Sequence, residues 1–93
     1  MPTLRIEHLV RDYDAWRQAF DGDPAGRGAG GVRRFEVLRA VDDPNYVLID
    51  LEFDTAGEAE AFLGRLWQIW GRVRGTLITD PRARIVEAVP AGG

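Results

Sequence analysis

Apolar and polar positions alternate at the start of the chain. In Thr3–Val10 (TLRIEHLV), Leu4, Ile6, His8 and Val10 fall on one side of an extended backbone, and Thr3, Arg5, Glu7 and Leu9 on the other. A period of two is that of a half-buried strand. The period then lengthens. Tyr13, Trp16 and Phe20 recur at helical spacing behind Asp12, which suits an N-cap, and Asp14 sits in the first turn, where the helix dipole favours an acid. This predicts a helix of about three turns with a single aromatic stripe. Asp21 to Gly31 (DGDPAGRGAGG) breaks it with Gly, Asp and Pro and is read as the main loop, with room for one irregular helical turn after Pro24.

Val32 to Val41 alternates again, with Val32, Arg34, Glu36 and Leu38 set against Arg33, Phe35, Val37, Arg39 and Val41. Asp42-Asp43-Pro44-Asn45 is a turn signal. Tyr46 to Asp54 resumes with Val47, Ile49, Leu51 and Phe53 on one face, so the two runs form a hairpin. Thr55-Ala-Gly-Glu58 reads as a capping box. The helix it opens carries Ala59, Phe62, Leu63, Leu66, Trp70 and Val73 on one stripe, with Trp67 and Ile69 at the edges, and should stop by Gly71 or Gly75. A short last strand, Arg82 to Val89, and a tail, Pro90 to Gly93, complete the chain.

The order β-α-β-β-α-β predicts one α+β domain over residues 1–93, a ferredoxin-like four-stranded antiparallel sheet with both helices on one face. The other face then carries Leu9, Val32, Leu38, Tyr46 and Leu48 among Arg5, Glu7, Arg34, Glu36, Asp50 and Glu52. That mixture is too apolar for bare surface and too charged for a dry core. Pairing with a second copy about a twofold axis satisfies both features, so a homodimer is expected.

Composition narrows the choice of chemistry. Cysteine is absent, which removes disulfides, Cys-based metal sites and thiol nucleophiles. All twelve basic residues are Arg, a bias that fits a GC-rich genome. The formal net charge of −3 offers no basic footprint for nucleic acid. Charges at Arg5 and Glu7 interrupt any secretory h-region, and no apolar run is long enough to span a membrane, so a cytoplasmic location is expected.

His8 is the only histidine and, by alternation, faces the helices. A neutral imidazole there could act as a base or orient a substrate hydroxyl; equally, it could be a core-edge residue bonded to backbone or to Asp12. Trp16, Trp67 and Trp70, with Phe20, are candidates to line an aromatic pocket for a planar ligand, against plain core filling, and the off-centre Trp67 is the better pocket candidate than Trp70. Asp50 and Glu52 share a strand face and could divide acid and base work, or simply pair with Arg5, Arg34 or Arg84. Gly26 to Gly31 matches G-x-G-x-x-G in letter, but it follows a helix and precedes a strand, the reverse of a dinucleotide site, so it reads as a loop that could cover a pocket. His8, Asp12 and Asp14 straddle a strand-to-helix turn and do not make a metal site, and no cofactor is expected.

The strings Val10-Arg-Asp-Tyr13-Asp-Ala-Trp16-Arg-Gln-Ala-Phe20-Asp, Gly31-Val32-Arg-Arg, Asp42-Asp43-Pro44-Asn45-Tyr46-Val47 and Glu58-Ala-Glu-Ala-Phe62-Leu63 resemble the dimeric α/β-barrel superfamily. That superfamily includes antibiotic-biosynthesis monooxygenases, haem-degrading monooxygenases and polyketide cyclase-like proteins. The resemblance implies a homodimer with a pocket between sheet and helices in each subunit, and places Trp67 or Trp70 near the position of the monooxygenases' second-helix Trp. This chain departs from the pattern twice. The first strand reads Glu7-His8 where an Asn is usual, and Arg74-Gly-Thr76-Leu follows the second helix where the haem-degrading branch has a His. The expected function is a cofactor-independent monooxygenase or cyclase acting on a small aromatic or polyketide-like substrate. The alternative is a non-catalytic homodimeric module that binds a small apolar ligand or serves in assembly.

Overall fold

A computed structural model describes residues 1–73, 75 and 77–89. The elements run β1 (Thr3–Val10), α1 (Tyr13–Asp21), β2 (Arg34–Arg39), β3 (Tyr46–Glu52), α2 (Ala56–Val73) and β4 (Ile78–Val86). The strands form one sheet in the order β2-β3-β1-β4, every neighbouring pair antiparallel. This is the ferredoxin-like arrangement expected from the periodicity.

The two central strands carry the core. Leu4, Ile6, His8 and Val10 of β1 are buried, and so are Val47, Ile49 and Leu51 of β3 and Phe53 just beyond it. Their registers, Leu4 against Leu51, Ile6 against Ile49 and His8 against Val47, bring these inward side chains side by side. Ala59, Phe62 and Trp70 of α2 and Trp16 of α1 close over them. Burial of this set removes apolar surface from water at roughly 25 cal/mol per Å² and is the main driving term.

Local signals position the helices. Asp12 caps α1 by accepting from the Asp14 and Ala15 amides. Thr55 Oγ1 accepts from the Glu58 amide at 3.2 Å, and the Thr55 hydroxyl donates back to the Glu58 carboxylate. Helix α2 runs through Gly71 to Val73, and Gly75, at φ +83°, begins the return to the sheet. Arg74, Thr76 and the predicted tail, Pro90 to Gly93, lie outside the described residues.

Three predicted strands change extent, β3 by ending at Glu52 rather than Asp54. Strand β2 is Arg34–Arg39 rather than Val32 to Val41, although Arg33 still donates to the Glu52 carbonyl and Ala40 to that of Tyr46. Beyond them Val41 is fully exposed. The larger correction is β4, which begins at Ile78, not Arg82, and ends at Val86, not Val89. Asp80-Pro81 looks like a strand breaker. On an edge strand, however, proline forfeits no ladder bond, and here it sits in a bulge. One residue of β1, His8, stands opposite two of β4, Asp80 and Pro81, and Asp80 adopts φ +55°.

The loop between α1 and β2 folds back on the second helix. A Cβ at Gly30 would press into the Phe62 ring and the Arg65 guanidinium, so only glycine allows this approach. Ala25 and Val32 pack against the core from the same loop.

Core and periphery should respond differently to truncation. Leu4→Ala, at a position with no exposure, is expected to cost about 2–5 kcal/mol, whereas Val41→Ala should stay within about 0.5 kcal/mol. Urea denaturation of the two variants checks this; equal losses would mean that the core is not where the burial pattern puts it.

Candidate functional site

The helices do not fill the space above the sheet. A cavity of about 550 Å³ remains between the inner face of β1 and β3, both helices and the α1–β2 loop. Its wall is largely apolar: Ile6, Ile49 and Leu51 form the floor, Trp16 and Phe20 one side, and Phe62, Leu66 and Trp70 the other. This size and lining suit a small, flat, apolar molecule.

His8 is the one buried polar side chain among the described residues, at 3% exposure. Alternation along β1 turns it inward, and the bulge in β4 lies directly opposite. Its ring stands edge-on to Trp16, with centroids 5.7 Å apart, and to Trp70, at 6.5 Å. Nδ1 is buried with no hydrogen-bond partner. Asp12, one sequence-based candidate partner, spends its carboxylate on the α1 cap instead. Burial among aromatics penalises the imidazolium and pulls the His8 pKa down from 6.5 to about 4. The backbone of Leu9 and of His8 itself pushes the other way, less strongly. At neutral pH the ring is uncharged.

The aromatic candidates divide. Trp16 and Phe20 stack at 5.1 Å and 24°, and both line the cavity, as does Trp70. Trp67 does not. It is 43% exposed and meets Trp70 edge-on at 4.9 Å, on the side of the helix away from the cavity lining. Helical geometry decides between them: three residues apart, the two indoles can touch, but only Trp70 lies on the stripe that faces the sheet. Asp50 and Glu52 point outward and pair with Arg5 at 3.0 Å and Arg34 at 3.5 Å, as structural ion pairs on the far face. Among the described residues no group of three or more His, Asp or Glu is placed to hold a metal ion. No described helix is long and apolar enough to cross a membrane.

Arg27 is a cavity residue that sequence reasoning passed over. It lies in the glycine-rich loop with its guanidinium over Phe20 at 4.0 Å and Phe35 at 4.6 Å. An available signal was Asp23, four residues earlier, whose carboxylate accepts from the Arg27 amide at 2.8 Å and lies 3.2 Å from its Nε.

No family model matches the sequence, and no curated protein does. Solved structures do match its fold. A candidate antibiotic biosynthesis monooxygenase from Nitrosomonas europaea superposes with TM-score 0.72 at 17% identity, over 97% of this chain and 100% of that one. A candidate antibiotic biosynthesis monooxygenase from Deinococcus radiodurans gives 0.72 at 20% identity, over 100% and 97%. SnoaB, a cofactor-independent oxygenase from Streptomyces nogalater, gives 0.69 at 18% identity, over 98% and 95%. What these structures share with this chain is the ferredoxin-like α+β fold. At these identities the likeness is one of fold, and the site must be argued from this chain's own residues. Those residues are an aromatic cavity with one neutral imidazole in its wall and charged or polar side chains, Gln18, Asp23, Arg27 and Arg72, around it.

The depressed His8 pKa has a consequence for stability. The unfolded chain takes up a proton near 6.5 and the folded chain only near 4. Between these values the unfolded state binds more protons, so stability falls as pH drops from 6.5 towards 4, by up to about 3 kcal/mol. His8→Phe should remove that portion of the acid destabilisation. Denaturation curves of the two proteins between pH 7 and pH 4 would differ by an amount that grows on acidification; parallel pH profiles would mean that the imidazole is not held neutral.

Proposed function

We propose that the protein acts on a small planar aromatic, polyketide-like molecule held in this cavity, as a cofactor-independent monooxygenase in which His8 is the base. The observation that carries this reading is a single uncharged imidazole buried between two tryptophans in the wall of a largely apolar cavity. The SnoaB-like fold supports it.

The proton affinity of His8 restricts the substrate. A proton passing from a donor as acidic as a tyrosine phenol (pKa ~10) to a base at about 4 climbs roughly 8 kcal/mol, which still permits turnover far above 10³ per second by order of magnitude. A donor some 10 units weaker adds about 14 kcal/mol and makes the step negligibly slow. The substrate must therefore be acidified already, as is the methylene of an anthrone-type ring flanked by phenolic and keto groups. His8 takes one methylene proton, and the carbanion passes an electron to O2. The radical pair combines to a peroxide at the same carbon, and loss of water leaves a carbonyl: CH2 + O2 → C=O + H2O. The apolar wall keeps bulk water from the carbanion.

One observation favours a second reading, a binding module without chemistry. Nδ1 of His8 has no partner to fix its tautomer, whereas an efficient base is usually oriented from behind. Oxygen uptake with 1,8-dihydroxyanthrone separates the two. The oxygenase reading expects stimulation of about 100-fold over the autoxidation rate, lost in His8→Gln. An unaltered rate in both proteins, with the anthrone bound, supports the binding module and ends the oxygenase reading.

The proposed assembly is a homodimer through the outer sheet face, where Leu9 and Leu38 are over 40% exposed. One register row across the sheet reads Glu36, Asp50, Arg5, Arg84. Arg5 and Asp50 pair within the chain through two hydrogen bonds of 3.0 Å. Glu36 and Arg84 remain at opposite edges, and a twofold axis along the strands sets each against its opposite in the second copy. Sedimentation should find twice 10.4 kDa. Glu36→Arg should weaken the dimer, and adding Arg84→Glu should restore it. A monomer at tens of micromolar would remove this proposal.

A further inference from the structure

The cavity also carries a charged group, Arg27, at its loop end. Arg27 is held there by three features. Its own amide donates to Asp23 Oδ1 at 2.8 Å, and the same oxygen lies 3.2 Å from Nε. Its planar guanidinium rests on the Phe20 and Phe35 rings. Its side chain is only 16% exposed. Asp23, at φ +56°, and Gly26, at φ +68°, bend the loop so that the arginine turns back over the cavity.

What this arrangement leaves undone is informative. An arginine has five N–H donors in a fixed fork. Here Nη1 is buried and has no hydrogen-bond partner, and Asp23 occupies the Nε side alone. Leaving a buried donor without an acceptor is unfavourable, and more so when the donor is charged. A purely structural guanidinium stacked on two rings has no need to bear that cost, because it could turn its fork to water. A ligand oxygen entering the cavity supplies the missing acceptor. An anionic oxygen suits it best, because among the described residues the half-exposed Asp23 carboxylate is the one acid paired with this charge and water screens it.

We propose that Arg27 is the polar anchor of the cavity and selects planar aromatic ligands that carry an oxyanion, a carboxylate or an ionised phenol, at one edge. This rests on the aromatic-cavity reading above and adds a sign of charge and an orientation to it. The ring system lies between Trp16, Phe20 and Trp70, with its anionic edge towards the loop and its opposite part towards His8. Arg27 thus acts as a positioning and specificity residue and takes no proton.

Equilibrium dialysis at pH 7.5 against anthraquinone-2-carboxylate and its neutral analogue anthraquinone-2-carboxamide tests the proposal. The wild-type protein is expected to bind the carboxylate at least tenfold more tightly than the amide. Arg27→Met keeps an apolar stem over Phe20 and removes the fork. It should abolish the preference, and whatever amide binding it retains shows that the variant is folded. Arg27→Lys keeps the charge without the fork and should reduce the preference to a third or less. Should Arg27→Met lose amide binding as well, the lysine variant decides by the same ratio. Equal affinity of the wild-type protein for both compounds, or a preference that survives in the deciding variant, overturns the anchor and leaves the aromatic cavity standing. Failure of the wild-type protein to bind either compound overturns both.

Discussion

Four strands present two faces, and two helices can cover only one of them. Much of this molecule follows from that inequality. On the covered side, the inward residues of β1 and β3 are driven out of water and meet Phe62 and Trp70 of α2 and Trp16 of α1. The helices are capped where their sequences dictate, which fixes where they start on the sheet but not how closely they meet. The space left between them is the cavity. On the uncovered side, the same alternation produces a surface of paired charges, with Arg5 on Asp50 and Arg34 near Glu52, interrupted by half-exposed Leu9 and Leu38. Pocket and open face are therefore two results of one shortage of covering material.

Within the pocket the decisive quantity is the cost of charge. A protonated His8 would sit between two indoles with no carboxylate near it among the described residues, so the fold holds the ring neutral and accepts a weaker base in return. That exchange confines any proton abstraction to substrates already made acidic by their own conjugation. The bulge opposite His8 belongs to the same economy. Two residues of β4, one in a left-handed conformation, are accommodated against one of β1, a local irregularity of the kind that clusters beside functional sites.

Arg27 shows the opposite choice, a charge kept rather than suppressed. Stacking on Phe20 and Phe35 and one shared acid make a nearly buried guanidinium tolerable without satisfying it. A neutral acceptor at one end of the cavity and a cationic donor at the other would give an asymmetric ligand only one favourable way in. The glycine-rich loop earns its place by this geometry: Gly30 allows the backbone to lie on Phe62, which anchors the loop that carries Arg27.

The amino-acid sequence by itself determined the element order, the inward and outward residue sets of the central strands, the Asp12 and Thr55 caps, and the inward orientation of His8. These depend on periods of two and of 3.6 and on hydrogen bonds between residues within four positions of each other, so they are local. Tertiary structure alone decided the strand that runs through Pro81, because whether a proline breaks a strand depends on whether the strand lies at an edge. It also decided between Trp67 and Trp70, whose difference is a rotation about a helix axis relative to a sheet that only the packed fold supplies. Arg27 became visible for the same reason: Phe20, Phe35 and the cavity it borders come from separate elements, and no spacing along the chain records that they meet.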